Sequence, residues 1–212
     1  MEKFTTLTSK AAPLMLANID TDIITPMRRL VVDTGKALAR YAFEPLRFID
    51  GDGDRGEPNP DFIMNQPPFQ QATILITGEN FGCGSSRETA VTALVGLGYR
   101  CVIGSSFGEI FYNNCFQNGV LPIILPRQHV DMLAAESLET AHGPELVTVD
   151  LETCTITSPL GQTLPFSMNA LRREALLEGL DAIGVTLKRA ADIAAFQARD
   201  VSARPWVYQV RR

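Results

Sequence analysis

Between residues 72 and 125 the chain alternates short apolar runs with segments of helical length, and this alternation restricts the fold more than any other feature. Residues 72–77, 100–103 and 120–125 are rich in Ile, Val and Leu, as buried strands are. Residues 87–97 and 107–117 lie between them, and the first is apolar nearly all round, which predicts a buried helix. Strand, helix and strand in succession make a parallel crossover, because a hairpin cannot join parallel neighbours. The expectation is an α/β protein built on a parallel sheet.

Local signals place the ends of further elements. Ser106 with Glu109 has the spacing of a capping box, and Asn118-Gly119 supplies a left-handed stop. After Pro126, the residues Val130, Leu133, Ala134 and Leu138 recur at helical spacing. Residues 14–24 begin as a short strand and then meet Asn18, Asp20 and Asp22, which favour turns. Residues 147–166 read as two short strands joined near residues 159–161. Asn169 caps a helix that Gly179 ends. Thr186 can cap a last helix over about residues 187–200, with an irregular tail from Arg204-Pro205. The polar loop at residues 50–60 lacks the twelve-residue ligand spacing of a calcium loop and is expected to be solvated. A single domain over residues 1–212 is expected, with a core over about 4–185 and a C-terminal helix and tail over about 186–212.

Composition excludes several function classes. A net charge of −5 provides no basic field for a nucleic acid. Residues 1–12 lack the apolar stretch of a secretory signal, and no window approaches the ~18 apolar residues of a membrane span. A cytoplasmic protein is expected. Cys83, Cys101, Cys115 and Cys154 form no C-x-x-C pair, and His129 and His142 stand apart from them, so no metal is expected on this chain alone. Cys101, Cys115 and Cys154 read as reduced, mostly buried thiols.

The chemistry concentrates in residues 78–88, Gly-Glu-Asn-Phe-Gly-Cys-Gly-Ser-Ser-Arg-Glu, between a strand and a helix. Glycines here let backbone N–H groups approach a ligand, and the following helix presents its positive end. A carboxylate or phosphate would suit such a site. Arg87 opposes the dipole preference of a first helical turn, which a bidentate grip on a carboxylate would explain. The same residues carry a plainer meaning, since Ser85 and Glu88 have capping-box spacing. Neither G-x-G-x-x-G nor a P-loop is present. A second cluster, Asn18, Asp20, Thr21 and Asp22, precedes Thr25-Pro26-Met27-Arg28-Arg29 and by itself reads as an Asx turn with solvated arginines. A third, around Ser105, Ser106, Phe107, Asn113 and Asn114, is explained mostly by helix capping and one packed face.

Taken together, N-I-D-T-D at 18–22, P-N-P-D-F at 58–62, the 78–88 turn, S-F-G-E-I-F-Y-N-N at 106–114, Asn118-Gly119 and G-L-D-A-I-G at 179–184 resemble the small-subunit family of 3-isopropylmalate dehydratases, in the aconitase superfamily. The likeness spans about residues 4–200 in order. It implies a three-layer swivelling β/α domain of the aconitase C-terminal type with a C-terminal helical extension. That domain would close over a large dehydratase subunit, in a heterodimer or higher assembly, and the large subunit would hold a 4Fe–4S cluster. By the same resemblance Ser85 is a base that moves the α-proton, Arg87 holds a substrate carboxylate and Ser86 is a neighbouring donor. Gly84, Cys83, Asn80, Asp20, Thr21, Asp22 and Arg28 are the other expected substrate contacts. The implied reaction interconverts 2-isopropylmalate and 3-isopropylmalate, small dicarboxylic hydroxy acids, by dehydration and rehydration in leucine biosynthesis. Thr89 stands where the family usually has histidine, and Met27-Arg28-Arg29 also departs from its pattern. Those departures leave open a 2-methylmalate or dimethylmalate hydro-lyase, and the residues alone leave open a non-catalytic carboxylate-binding module.

Overall fold

A computed structural model of the chain describes residues 1–53 and 56–208. Residues 54 and 55, in the polar loop, and 209–212, in the predicted tail, lie outside the described residues. The chain begins with β1 (Thr6–Ser9) and β2 (Ala11–Leu14), followed by the short helices α1 (Thr21–Ile24) and α2 (Glu44–Arg47). The alternating region follows as β3 (Ile74–Thr77), α3 (Glu88–Gly96), β4 (Cys101–Gly104), α4 (Glu109–Gln117) and β5 (Leu121–Ile124). Then come α5 (Arg127–Glu139), β6 (Val147–Asp150), β7 (Thr155–Thr157), β8 (Thr163–Pro165) and the C-terminal helices α6 (Ala170–Glu178), α7 (Ala182–Leu187), α8 (Ala190–Ala203) and α9 (Pro205–Tyr208).

The expected parallel sheet is present in the order β2-β3-β4-β5. Pro13 and Pro122 fall on its two edge strands, where a missing N–H does not interrupt a central ladder. Alternation along the strands divides the interior. Leu75 and Val102 join α3 and α4 in one core, while Ile74, Ile76 and Ile103 join α5 in another. That second core also takes the buried face of an antiparallel sheet, β1-β6-β7-β8, through Val147, Val149, Ile156 and Leu164. The result is a mixed α/β domain with a parallel and an antiparallel sheet and helices at its C-terminus.

Several boundaries differ from the sequence reading, each for a physical reason. The strand expected at residue 14 lies at Ala11–Leu14, because Asp20 caps α1 and the chain between them is turn. Residues 147–166 hold three strands, with Cys154 in a left-handed turn between β6 and β7. Leu138 is 52% exposed and Ser137 is buried in its stead on α5. Thr186 lies inside α7, where its hydroxyl donates to Ala182 O at 2.8 Å; Asp181 is the cap, accepting from Gly184 N at 2.7 Å. The tail begins helically, as α9. Asn169 and Gly179 bound α6 as expected, with Gly179 at φ 71°. Asn118 and Gly119 likewise end α4.

Candidate functional site

Three loops leave the carboxyl ends of adjacent parallel strands: residues 15–20 after β2, 78–87 after β3 and 105–108 after β4. In an open parallel sheet this is the edge where ligands bind. The loops go on pairing beyond the sheet. Asp20 bridges Cys83 and Phe81 bridges Phe107, both in the parallel sense. Gly82 N–H donates to Ile19 O at 2.7 Å, Thr21 N–H to Cys83 O at 2.9 Å and Gly108 N–H to Phe81 O at 2.9 Å. Asn18 and Asn80 both take left-handed backbone at φ 57° and 56°, and the Asn80 amide donates to the Asn18 carbonyl oxygen at 2.9 Å. Asparagine tolerates that region better than other non-glycine residues.

Close approach explains the glycines. At Gly82 a Cβ would stand 2.2 Å from the Phe111 ring, and at Gly108 it would stand 2.4 Å from Gly82 O. Phe81 anchors the turn from inside, fully buried and edge-on to Phe111 at 5.3 Å. Burying a side chain of this size contributes roughly 1.5–3 kcal/mol.

Neither expected capping box forms. The residue that caps α3 is Arg87, and Gly108 caps α4, each without a side-chain hydrogen bond. Bridges to neighbouring loops hold the chain at Phe81, Cys83 and Phe107, and the helices begin only at Glu88 and Glu109. Ser106 Oγ instead accepts from Asn80 N–H at 2.9 Å, which ties the third loop to the second. Ser85 lies outside the helix and is exposed. Its Oγ is 3.3 Å from the buried Thr21 hydroxyl, which also reaches Ser85 O at 3.3 Å. Ser86 and Gly84 beside it are exposed, and Cys83 is half-buried.

Arg87 is 11% exposed and grips Asp22 with both terminal nitrogens, Nη1 to Oδ1 at 2.5 Å and Nη2 to Oδ2 at 2.8 Å. The hydrogen bonds from Arg87 hold the Asp22 carboxyl below its ordinary value. Asp20 spends one oxygen on the cap of α1, accepting from Ile23 N at 2.8 Å. Asp20, Asp22 and Arg28, together with the apolar Ile23, Pro26 and Met27, line an open cleft of about 300 Å³. Arg28 is not free in it. It donates to Glu44 Oε2 and Gly51 O, each at 2.9 Å.

The sequence reading missed Glu44. Its carboxylate is fully buried and accepts from Arg28, from Arg29 and from Gly53 N–H, pinning residues 28–29 to the 50–53 loop. The only local signal was Pro45, which marks a helix start. Asn118 was read as a helix stop alone, yet its amide also holds Glu88, the first residue of α3, at 3.1 Å. Cys101 and Cys115 are wholly buried, which pushes their thiols up and makes them unreactive. Cys154 is half-buried. Among the described residues no group of three or more His, Cys, Asp or Glu could hold a metal ion. Among them, too, no helix is long and apolar enough to cross a membrane.

Comparison with known proteins bears on these loops. The sequence profile of the aconitase C-terminal domain matches residues 1–128, and that of the C-terminal domain of the 3-isopropylmalate dehydratase small subunit matches residues 183–209. The chain is 50% identical to the 3-isopropylmalate dehydratase small subunit of Jannaschia sp. over 207 residues, covering 98% of this chain and 100% of that protein. It is 50% identical to the small subunit of Dinoroseobacter shibae over 208 residues and 46% identical to that of Paracoccus denitrificans over 207, with the same coverage. A crystal structure of 3-isopropylmalate dehydratase from Methanocaldococcus jannaschii matches with a TM-score of 0.61 and 26% identity, over 90% of this chain and 98% of that one.

Proposed function

Because the chain belongs to the 3-isopropylmalate dehydratase small-subunit family of the aconitase superfamily, we propose that it supplies the Ser85 and Arg87 half of a hydro-lyase active site. A large subunit, which the relatives' name implies, supplies the other half and carries a 4Fe–4S cluster. The substrates are 2-isopropylmalate and 3-isopropylmalate, interconverted by removal and re-addition of water. The observation that carries this reading is the position of Ser85. It is exposed at the carboxyl edge of the parallel sheet, free of any capping role, in a turn held rigid by three paired loops.

In this reading the chain acts as one swivelling domain over residues 1–212 that closes the cleft against its partner. When bound, the cluster provides a Lewis acid for the departing and returning hydroxyl. Ser85 Oγ removes the proton from the carbon next to a carboxylate. The electron pair of that C–H bond becomes the double bond as hydroxide leaves the neighbouring carbon, and the reverse step adds water with the opposite regiochemistry. A serine hydroxyl is a weak base, so its alkoxide must be stabilised by nearby donors. Arg87, mostly covered and already shaped around the Asp22 carboxylate, supports a bidentate grip on a substrate carboxylate. Asn80, Cys83, Gly84, Ser86, Asp20, Asp22 and Arg28 are the remaining candidate contacts, while Thr21, 1% exposed, reaches the site only through Ser85. Asp20 and Arg28 reach a substrate only with whatever capacity their structural bonds leave.

The chain co-expressed with its large subunit tests the assignment. Ser85→Ala should leave the two subunits co-purifying and lower kcat by about 10²–10⁴-fold, the range for losing a positioned base. Near-normal turnover in Ser85→Ala would remove Ser85 from the chemistry. Turnover by the isolated small subunit would refute the division of labour.

A further inference from the structure

We propose that Thr21 is a positioning residue for Ser85, and that its single hydroxyl proton moves between two acceptors as the Ser85 oxygen gives up and regains its own. The inference rests on the role given to Ser85 above. Thr21 has one hydroxyl proton for two oxygens of Ser85, and either hydroxyl can donate in the contact between them. Thr21 Oγ1 lies 3.3 Å from Ser85 O and 3.3 Å from Ser85 Oγ. A carbonyl oxygen only accepts, so both contacts hold a proton at once only when Thr21 donates to Ser85 O and Ser85 is a neutral hydroxyl. Ser85 O–H is then the donor in the second contact, toward Thr21 Oγ1.

When Ser85 is an alkoxide, that second contact has no proton unless Thr21 rotates its own onto Ser85 Oγ. Rotation costs the carbonyl little. Ser85 O keeps a hydrogen bond from Arg87 N–H at 2.8 Å, so it stays satisfied. The hydroxyl thus has one partner for each protonation state of the base. Donation to the alkoxide applies only in the reactive form, which is the kind of interaction that raises turnover rather than ground-state binding. Both contacts are long for O–H···O bonds, leaving room to tighten when substrate closes the site.

The surroundings hold Thr21 where this works. It is 1% exposed, so water does not compete for its proton. Its N–H is fixed to Cys83 O at 2.9 Å, two residues before Ser85, and Asp20 caps the helix it opens. Gly84 lies between the two. A Cβ there would stand 3.5 Å from Thr21 Oγ1, and its φ of +93° disfavours any side chain.

The test uses the co-expressed complex and four variants. Thr21→Val keeps shape and removes the proton. It should lower kcat about 10²-fold, the usual loss on deleting one donor to a developing oxyanion, with KM within about threefold of wild type. Thr21→Ser restores the hydroxyl and should keep kcat within about fivefold of wild type. Exchange of the substrate α-proton with deuterated water should slow in parallel with kcat in Thr21→Val. A normal kcat in Thr21→Val, an equal loss in Thr21→Ser, or a rise in KM with kcat intact would each overturn the proposal. Should Thr21→Val not co-purify with the large subunit, Thr21→Ala carries the same test. Ser85→Ala, measured alongside, separates the two claims. An inactive Ser85→Ala beside an unaffected Thr21→Val rejects only the Thr21 role, whereas an active Ser85→Ala rejects the Ser85 assignment itself.

Discussion

Asp22 and Arg87 form the one charged pair at the heart of the turn, and their unequal exposure sets its behaviour. The guanidinium is 11% exposed and the carboxylate 56%. Under the proposed function, an incoming substrate carboxylate would meet an arginine whose two terminal nitrogens are already arranged for a planar acid, and would compete with Asp22 for them. The pair also carries a pH signature. Hydrogen bonds from Arg87 hold the Asp22 carboxyl below its ordinary value in the folded chain. A depressed folded value means the pair stabilises above the unfolded value and ceases to do so as pH falls through the folded one. The unfolding free energy of wild type minus that of Asp22→Asn should thus stay constant from neutral pH to about pH 5 and shrink below about pH 4. Urea titrations of both proteins across that range measure it. A difference that grew in acid would show that Arg87 does not lower Asp22. The sequence did mark Arg87, because a cation in a first helical turn asks for a partner. It could not name Asp22 as the one it has, since 65 residues separate them.

At the scale of elements, the turn between β3 and α3 is set by how near its neighbours lie. Gly82 combines φ +72° with a Cβ position 2.2 Å from the Phe111 ring. Gly82→Ala should cost about 2–4 kcal/mol, from overpacking plus a strained left-handed alanine, and should lower turnover through displacement of Ser85. Chemical denaturation gives the first quantity, and a loss under about 1 kcal/mol would mean the loops can move apart. The same loop pairing explains which signals were legible. Strands β3 to β5 and the ends of α6 are written locally, in apolar runs and in Asn169 and Gly179. The capping boxes at Ser85 and Ser106 have the right spacing and yet do not form, because the helices begin after Arg87 and Gly108 and the two serines face neighbouring loops, at Thr21 and Asn80. Glu44 shows the complementary limit. Nothing adjacent to it in sequence marks a buried carboxylate, and only the folded loop brings Arg28, Arg29 and Gly53 N to it.

The whole molecule divides into a packed body and an exposed helical end. The parallel sheet could be anticipated from alternation. Of the antiparallel sheet, strands within residues 147–166 could be read, but the pairing of β1 with β6 could not, since it spans 140 residues, Thr8 facing Thr148. Over residues 181–208 only Asp200 is buried, and its partners Arg204 and Tyr208 are local. Deleting residues 190–212 should therefore move the Tm of the isolated small subunit by less than about 4 °C, the shift expected for a change near 1 kcal/mol in a chain this size. Calorimetry of the truncated chain checks this, and a loss of cooperative unfolding would show that the end belongs to the core. The paired loops carry a further consequence for assembly. Asn18, Phe81, Gly82, Thr21 and Gly108 already fix their backbone through hydrogen bonds made within this chain. The ordering entropy of these loops is spent during folding, so any partner docking on them would lose mainly rigid-body freedom and meet a surface already in shape.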